Sequence, residues 1–348
     1  MPVGSSTAQR AVIVEAVRTP MGRGRESGAL AGVHPVELLA QTFGALIDRS
    51  GLDPGLVDDV LVGCVSQSGE QASTPGRQAW LSAGFPEHVP SATIERKCGS
   101  GQQAIDFAVQ GVISGAYDIV VAGGLESMSR VPMGSSVMGR DPFGPGVHER
   151  YPTLSGQGVA AERVAHRWNL SRSELDDYSA RSHELAAATQ AGGGFDRETF
   201  AVRTPEGVVT RDETIRPGTT AEKLGGLRAV FATEQNMVDN PELDWRITAG
   251  NSSQITDGAA ALLIMSEQRA TELGLRPRAQ LHVSAVLGDD PTLMLTAPIP
   301  ATERVLKRTG LSLGDIDAFE VNEAFAPVPL AWASSLRVPL ERVNPRGG

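Results

Sequence analysis

Cysteine is scarce in this chain: Cys64 and Cys98 are the only two in 348 residues. Two cysteines make no disulfide framework, and neither belongs to a Cys-x-x-Cys pair of the kind that holds a metal. Aromatic residues are few, at 5%, and no stretch approaches the ~20 apolar residues of a membrane-spanning helix. Basic residues are outnumbered, 31 against 41 acidic, giving a formal net charge of −10. That balance argues against general affinity for nucleic acid or for an anionic membrane surface. An anionic ligand would need a local basic patch. Gly22-Arg-Gly24 is too short for a dinucleotide fingerprint, and no P-loop pattern occurs. Met1 to Arg10 carries no long apolar run, so we read no signal peptide and expect a reducing, cytoplasmic setting.

What is present points to an α/β protein: apolar residues make up 41% of the chain and there are 39 glycines. The length suffices for two ordinary cores or one large duplicated one. Ala11 to Val17 reads as a strand, followed by a helix opened by Pro35 and stopped by Gly51. Val60 to Val65 reads as a second strand and Pro75 to Ala83 as a second helix. A short run from Ala92 to Ile94 then leads into Cys98 and a helix ending near Gly115, and Ile119 to Ala122 is a fourth strand. This alternation predicts a largely parallel sheet covered on both faces.

From about Met128 the pattern changes. Glycine and proline punctuate the chain to Gly158, and two helices follow, the second with a capping box at Ser171 and Glu174. Thr204 to Arg216 is loop-like. Alternation then resumes, with strands expected over Gly258 to Met265, Gln280 to Leu287 and Asp317 to Val321, and a helix over Pro300 to Gly310. The return of the pattern suggests duplication. We divide the chain into a first half (1–127), an inserted segment (128–247), a returning strand (248–268) and a second half (269–348).

Cys98 lies where a strand turns into a helix, followed by Gly99, Ser100 and Gly101. Unpaired N–H groups and the positive end of the helix dipole gather at such a position. There a thiol is activated and an oxyanion finds donors. The alternative is a buried structural cysteine, which is the simplest reading for Cys64 in its apolar run. The flanking glycines and Arg96-Lys97 favour a nucleophile at Cys98. Gly123-Gly124-Leu125-Glu126-Ser127 follows the fourth strand and reads as a turn or a close backbone approach. Thr248 to Gly258 concentrates small polar residues and reads equally as a polar loop or a ligand-facing one. Asn322, before Glu323-Ala-Phe325, ends an apolar strand. It fits a helix cap, an amide that donates to an oxyanion or holds a water, or both. The six histidines read as surface or loop residues.

Together these segments resemble the thiolases, the acyl-CoA acetyl- and acyltransferases. The matching pieces run in order along the chain: Glu15-Ala-Val-Arg-Thr-Pro20, Lys97-Cys-Gly-Ser-Gly101, Ala122-Gly-Gly-Leu-Glu-Ser-Met-Ser129, Thr248-Ala-Gly-Asn-Ser-Ser253 and Val321-Asn-Glu-Ala-Phe325. The resemblance implies a thiolase-like duplicated βαβαβαββ layered sandwich in which residues 128–247 form a loop domain over coenzyme A. It implies that Cys98 carries the acyl group in ping-pong chemistry, by thiolysis of a 3-ketoacyl-CoA or condensation of two acetyl-CoA. Asn322 matches the residue that holds a water where the enolate oxygen forms. Ser253 matches a hydroxyl on the pantetheine, and Arg216 a basic residue near the nucleotide end. Acyl-CoA and CoA are the implied partners, as substrates rather than bound cofactors, with no metal and with a homodimer or homotetramer as the assembly.

Two departures from the family pattern set further expectations. The family continues past Asn-Pro-x-Gly-Gly into a Gly-His-Pro segment and a Cys-x-Gly segment, which this sequence does not contain. We therefore expect a C-terminally truncated chain with an incomplete second half and impaired activity. A non-catalytic CoA-binding or interaction protein is the alternative. Ser155-Gly-Gln-Gly158 stands where some acetoacetyl-specific members carry a histidine, which leans toward a broader acyl range.

Overall fold

The computed structural model describes residues 9–348; most of the opening segment, in which we read no signal peptide, lies outside them. The described strands are β1 (Ala11–Arg18), β2 (Gly22–Arg23), β3 (Asp59–Gly63), β4 (Ser91–Ile94), β5 (Ile119–Ser127), β6 (Val202–Thr204), β7 (Gly207–Val209), β8 (Thr256–Ser266) and β9 (Ala279–Gln280). The α-helices are α1 (Pro35–Ser50), α2 (Pro75–Ser82), α3 (Ser100–Ser114), α4 (Pro145–Arg150), α5 (Gln157–Arg167), α6 (Arg172–Ala191), α7 (Ala221–Gly225), α8 (Glu234–Asp239), α9 (Glu267–Glu272), α10 (Pro298–Thr309) and α11 (Pro327–Leu336). The chain divides into two compact units.

The first unit comprises residues up to 140 together with 195–214 and 255–282. Its main sheet has the order β4-β3-β5-β8-β1-β9, with β2 paired to β8. The succession β1-α1-β3-α2-β4-α3-β5, closed by β8, is the expected βαβαβαββ series. Period-two alternation sends Val60, Val62, Val121, Leu263 and Met265 toward α1 and α2. Leu61, Val120, Ala122 and Ile264 pack on the other side with Ala104, Ala108 and Val112 of α3. Both faces are thus covered, but the sheet is not largely parallel. Only β4-β3-β5 runs parallel, where α2 and α3 supply the crossovers. β8 returns after the long insertion, whose helices α4 to α8 belong to the second unit, and lies antiparallel to both β5 and β1.

Three other segments differ from the sequence reading. Thr204 to Arg216 is not all loop, because β6 and β7 pair as a hairpin that turns through Pro205 and Glu206. Of the strand expected over Gln280 to Leu287 only β9 forms, since β1 meets it at Val12 and Ile13 alone. The expected strand over Asp317 to Val321 is reduced to one bridge, Phe319 to Val343, because the described residues offer it no longer neighbour.

The second unit comprises 141–194, 215–254 and 283–348. Its core joins Ala161 and Ala165 of α5, Leu175 and Tyr178 of α6, Ile247, and Phe325 and Val328. The capping box of α6 forms as expected, Ser171 accepting from the Glu174 N–H and Glu174 accepting from the Ser171 N–H. Phe319, Val321, Trp332, Val338 and Val343 build a neighbouring cluster. No helix among the described residues is long and apolar enough to cross a membrane.

Candidate active site

In the first unit, β4 delivers the chain to Cys98 through a tight knot. Lys97 takes a left-handed conformation at φ 48°. The N–H groups of Gly99 and Ser100 donate to the carbonyls of Arg96 and Lys97, each at 3.0 Å. The buried Ser100 hydroxyl closes the knot, accepting from the Arg96 N–H at 2.8 Å and donating to the Lys97 carbonyl at 2.6 Å. Cys98 is left exposed immediately before the first turn of α3, at the positive end of the helix dipole. The helix starts this close to the sheet because β3 ends in glycine. A Cβ on Gly63 would lie 2.3 Å from backbone atoms of Ser100 and Gly101.

Cys64 is the opposite case. It is 1% exposed, and burial, reinforced by the charge of Glu126, pushes its thiol up to about 12. Its N–H donates to the Ile94 carbonyl at 3.1 Å, fastening the end of β3 to the strand that leads to Cys98. Glu126 accepts the N–H groups of Val65 at 2.9 Å and Ser66 at 3.2 Å, and the Gln71 amide at 2.9 Å. Gln71 in turn accepts the Ser127 N–H at 2.6 Å. Glu126 therefore holds the loop that follows β3, a role the motif letters alone did not disclose. The two glycines before it have a sheet role: a Cβ on Gly123 would lie 2.0 Å from the Ala260 carbonyl oxygen of β8.

In the second unit, Ser253 and Asn322 belong to neighbouring segments. The Ser253 N–H donates to the Ala324 carbonyl at 3.0 Å and the Ala326 N–H to the Asn251 carbonyl at 2.9 Å, with a bridge between Ser252 and Phe325. Both Ser253 and Asn322 are exposed. The buried Asn251 side chain organises this loop: it accepts the Thr248 N–H at 2.8 Å and donates to Asp176 of α6 at 3.0 Å. The helix-cap role for Asn322 does not hold, because α11 begins five residues later at Pro327, with Ala326 as its cap. Proline suits that first position, having no N–H to leave unpaired.

Arg216 is exposed, in a turn where its carbonyl accepts the Thr219 hydroxyl at 2.8 Å. Its N–H points to His183 Nδ1 at 3.4 Å. His183 is thus no loop residue. It sits half-buried on α6, its pKa held down by burial and by the Arg216 charge. Among the described residues, no group of three or more His, Cys, Asp or Glu side chains is placed to hold a metal.

Comparison with known proteins gives this arrangement its family. The thiolase N-terminal domain matches residues 11–268 and the thiolase C-terminal domain matches 275–348. The steroid 3-ketoacyl-CoA thiolase FadA6 of Mycobacterium tuberculosis is 43% identical over 97% of this chain and 82% of its own length. A 3-ketoacyl-CoA thiolase of Idiomarina loihiensis is 40% identical over 97% of this chain and 86% of its own. The crystal structure of the Bacillus anthracis acetyl-CoA acetyltransferase superposes with a TM-score of 0.85 at 36% identity, covering 99% of this chain and 87% of that one. The protein is thus an enzyme of the acyl-CoA acyltransferase type, with coenzyme A thioesters as substrates and not as a resident cofactor. The chain belongs to the thiolase family.

The match to the C-terminal domain corrects one expectation. Truncation, an incomplete second half and the impaired activity inferred from them are not borne out, since that domain is represented over 275–348.

Proposed function

We propose that the protein is a 3-ketoacyl-CoA thiolase in which Cys98 is the nucleophile. The Cys98 sulfur attacks the C3 carbonyl, and the C2–C3 bond breaks. Its electron pair passes to the enolate of acetyl-CoA, which takes up a proton. The CoA thiol then attacks the acyl-cysteine and restores Cys98. Condensation of two acetyl-CoA is the same sequence reversed. The observation that supports this reading best is the contrast between the exposed thiol ahead of α3 and the buried, weakly acidic Cys64.

In this reading Asn322 holds the water facing the enolate oxygen, Ser253 contacts the pantetheine, and Arg216 lies near the nucleotide end. We propose residues 1–127 and 248–268 as the first thiolase half, 128–247 as the CoA-covering segment and 269–348 as the second half. The acyl range extends beyond acetoacetyl, in keeping with Ser155-Gly-Gln-Gly158 and with relatives named for 3-ketoacyl and steroid substrates. A homodimer or homotetramer in the cytoplasm completes the proposal. Its test is mass spectrometry of the protein mixed with a 3-ketoacyl-CoA. Wild type accumulates an acyl adduct on Cys98 that added CoA removes, and Cys98→Ser accumulates no thioester. Turnover retained in Cys98→Ser would sink the assignment.

A further inference from the structure

Asn322 is exposed, yet the residues on either side of it are pinned. Before it, Val321 has both backbone polar groups bound by one side chain. Asn344 accepts the Val321 N–H at 2.7 Å and donates to the Val321 carbonyl at 2.8 Å. Asn344 does this from a left-handed backbone position, φ 46°, at 1% exposure. Its own N–H donates to the Phe319 carbonyl at 2.8 Å, so its amide continues a strand pairing that the backbone has abandoned. After Asn322, Glu323 has both carboxylate oxygens occupied. Oε1 accepts the Tyr178 hydroxyl and the Asn344 amide, each at 2.7 Å, and Oε2 accepts the Ser182 hydroxyl at 2.7 Å. Tyr178 and Ser182 stand one turn apart on α6, a helix anchored in the core of the same unit. Burial and the neighbouring carboxylate hold the Tyr178 phenol well above its ordinary pKa, so it remains a donor throughout the working range.

We propose that Glu323 is a positioning residue for Asn322, with Tyr178, Ser182 and Asn344 as the donors that fix it. This rests on the reading of Asn322 as the group that serves the enolate oxygen. Two reactions separate its effect from a general one. Exchange of labelled CoA into acyl-CoA needs acyl transfer to Cys98 and back, with no carbon–carbon bond broken. Thiolysis of a 3-ketoacyl-CoA needs the enolate as well. Glu323→Gln turns one acceptor oxygen into a donor facing other donors, and Tyr178→Phe removes one donor with little change of shape.

The experiment measures both reactions in wild type, Glu323→Gln, Tyr178→Phe, Asn322→Ala and Cys98→Ser, with thermal melting as a check on folding. A misplaced catalytic group costs about 100-fold for a displacement near 1 Å. Glu323→Gln is therefore expected to lower the thiolysis kcat roughly 10- to 100-fold with KM little changed. CoA exchange stays within about twofold, and Tyr178→Phe shows the same split in milder form. Equal losses in both reactions, or none in either, overturn the proposal while Asn322→Ala keeps its own split. If Asn322→Ala itself shows no split, the reading of Asn322 fails and this inference falls with it. Should Glu323→Gln not fold, Tyr178→Phe decides by the same criteria.

Discussion

The two thiols differ by environment and not by kind. Cys98 is exposed beside the head of α3, whereas Cys64 is buried with its thiol pushed up to about 12. That upward shift keeps Cys64 from the thiolate, the form that reacts with electrophiles. Iodoacetamide is expected to label the folded protein once, at Cys98, and to reach Cys64 only in denaturant; peptide mapping checks this, and two labels in the folded state would contradict it. Cys98 could be proposed from the sequence because its neighbours, from Lys97 to Gly101, form a contiguous motif. The side chains that hold the other proposed site residues were not. Asn251 meets Asp176 across 75 residues of sequence and Glu323 meets Tyr178 across 145. No local spacing rule reaches that far, and an asparagine or glutamate reads the same whether it faces solvent or a buried donor.

At the level of elements, the readable features were those written within a few residues. The capping box of α6 and the proline start and glycine stop of α1 are of this kind. Strand direction was not readable, because it depends on what lies between strands and β8 arrives after a long insertion. The join between β3 and α3 carries a sharp expectation. A Cβ on Gly63 would meet backbone, which cannot swing aside as a flexible side chain would. Gly63→Ala should destabilise the protein by about 1–3 kcal/mol, the usual cost of overpacking. It should also displace the head of α3, so activity falls further than stability. Urea melts and kcat on the same samples test this, and unchanged kcat with lowered stability would separate the join from the proposed nucleophile.

For the molecule as a whole, one contribution to acid sensitivity comes from His183 of the second unit, which interacts with the charges of Arg216 and Glu323. Burial and Arg216 lower its pKa in the fold, so the unfolded chain binds the proton more readily. The stability linked to this group is present above the ordinary histidine value near 6.5. It is lost as pH falls from there through the lowered folded value. Wild type should therefore lose more melting temperature between about pH 7 and pH 5 than His183→Gln. An equal loss in both would assign the acid sensitivity elsewhere.

The separation of the two cysteines also decides what oxidants do to this protein. A sulfenic acid formed at Cys98 is rescued when a second thiolate condenses with it. Cys64, buried and weakly acidic, cannot supply that thiolate in the folded state. Relief must come from outside, as a mixed disulfide with a small thiol such as coenzyme A itself. Peroxide alone should drive inactivation onward to a form that reductant does not reverse, whereas peroxide with excess CoA should leave activity recoverable by dithiothreitol. With Cys98 as the proposed nucleophile, coenzyme A would double as reactant and as guard against overoxidation.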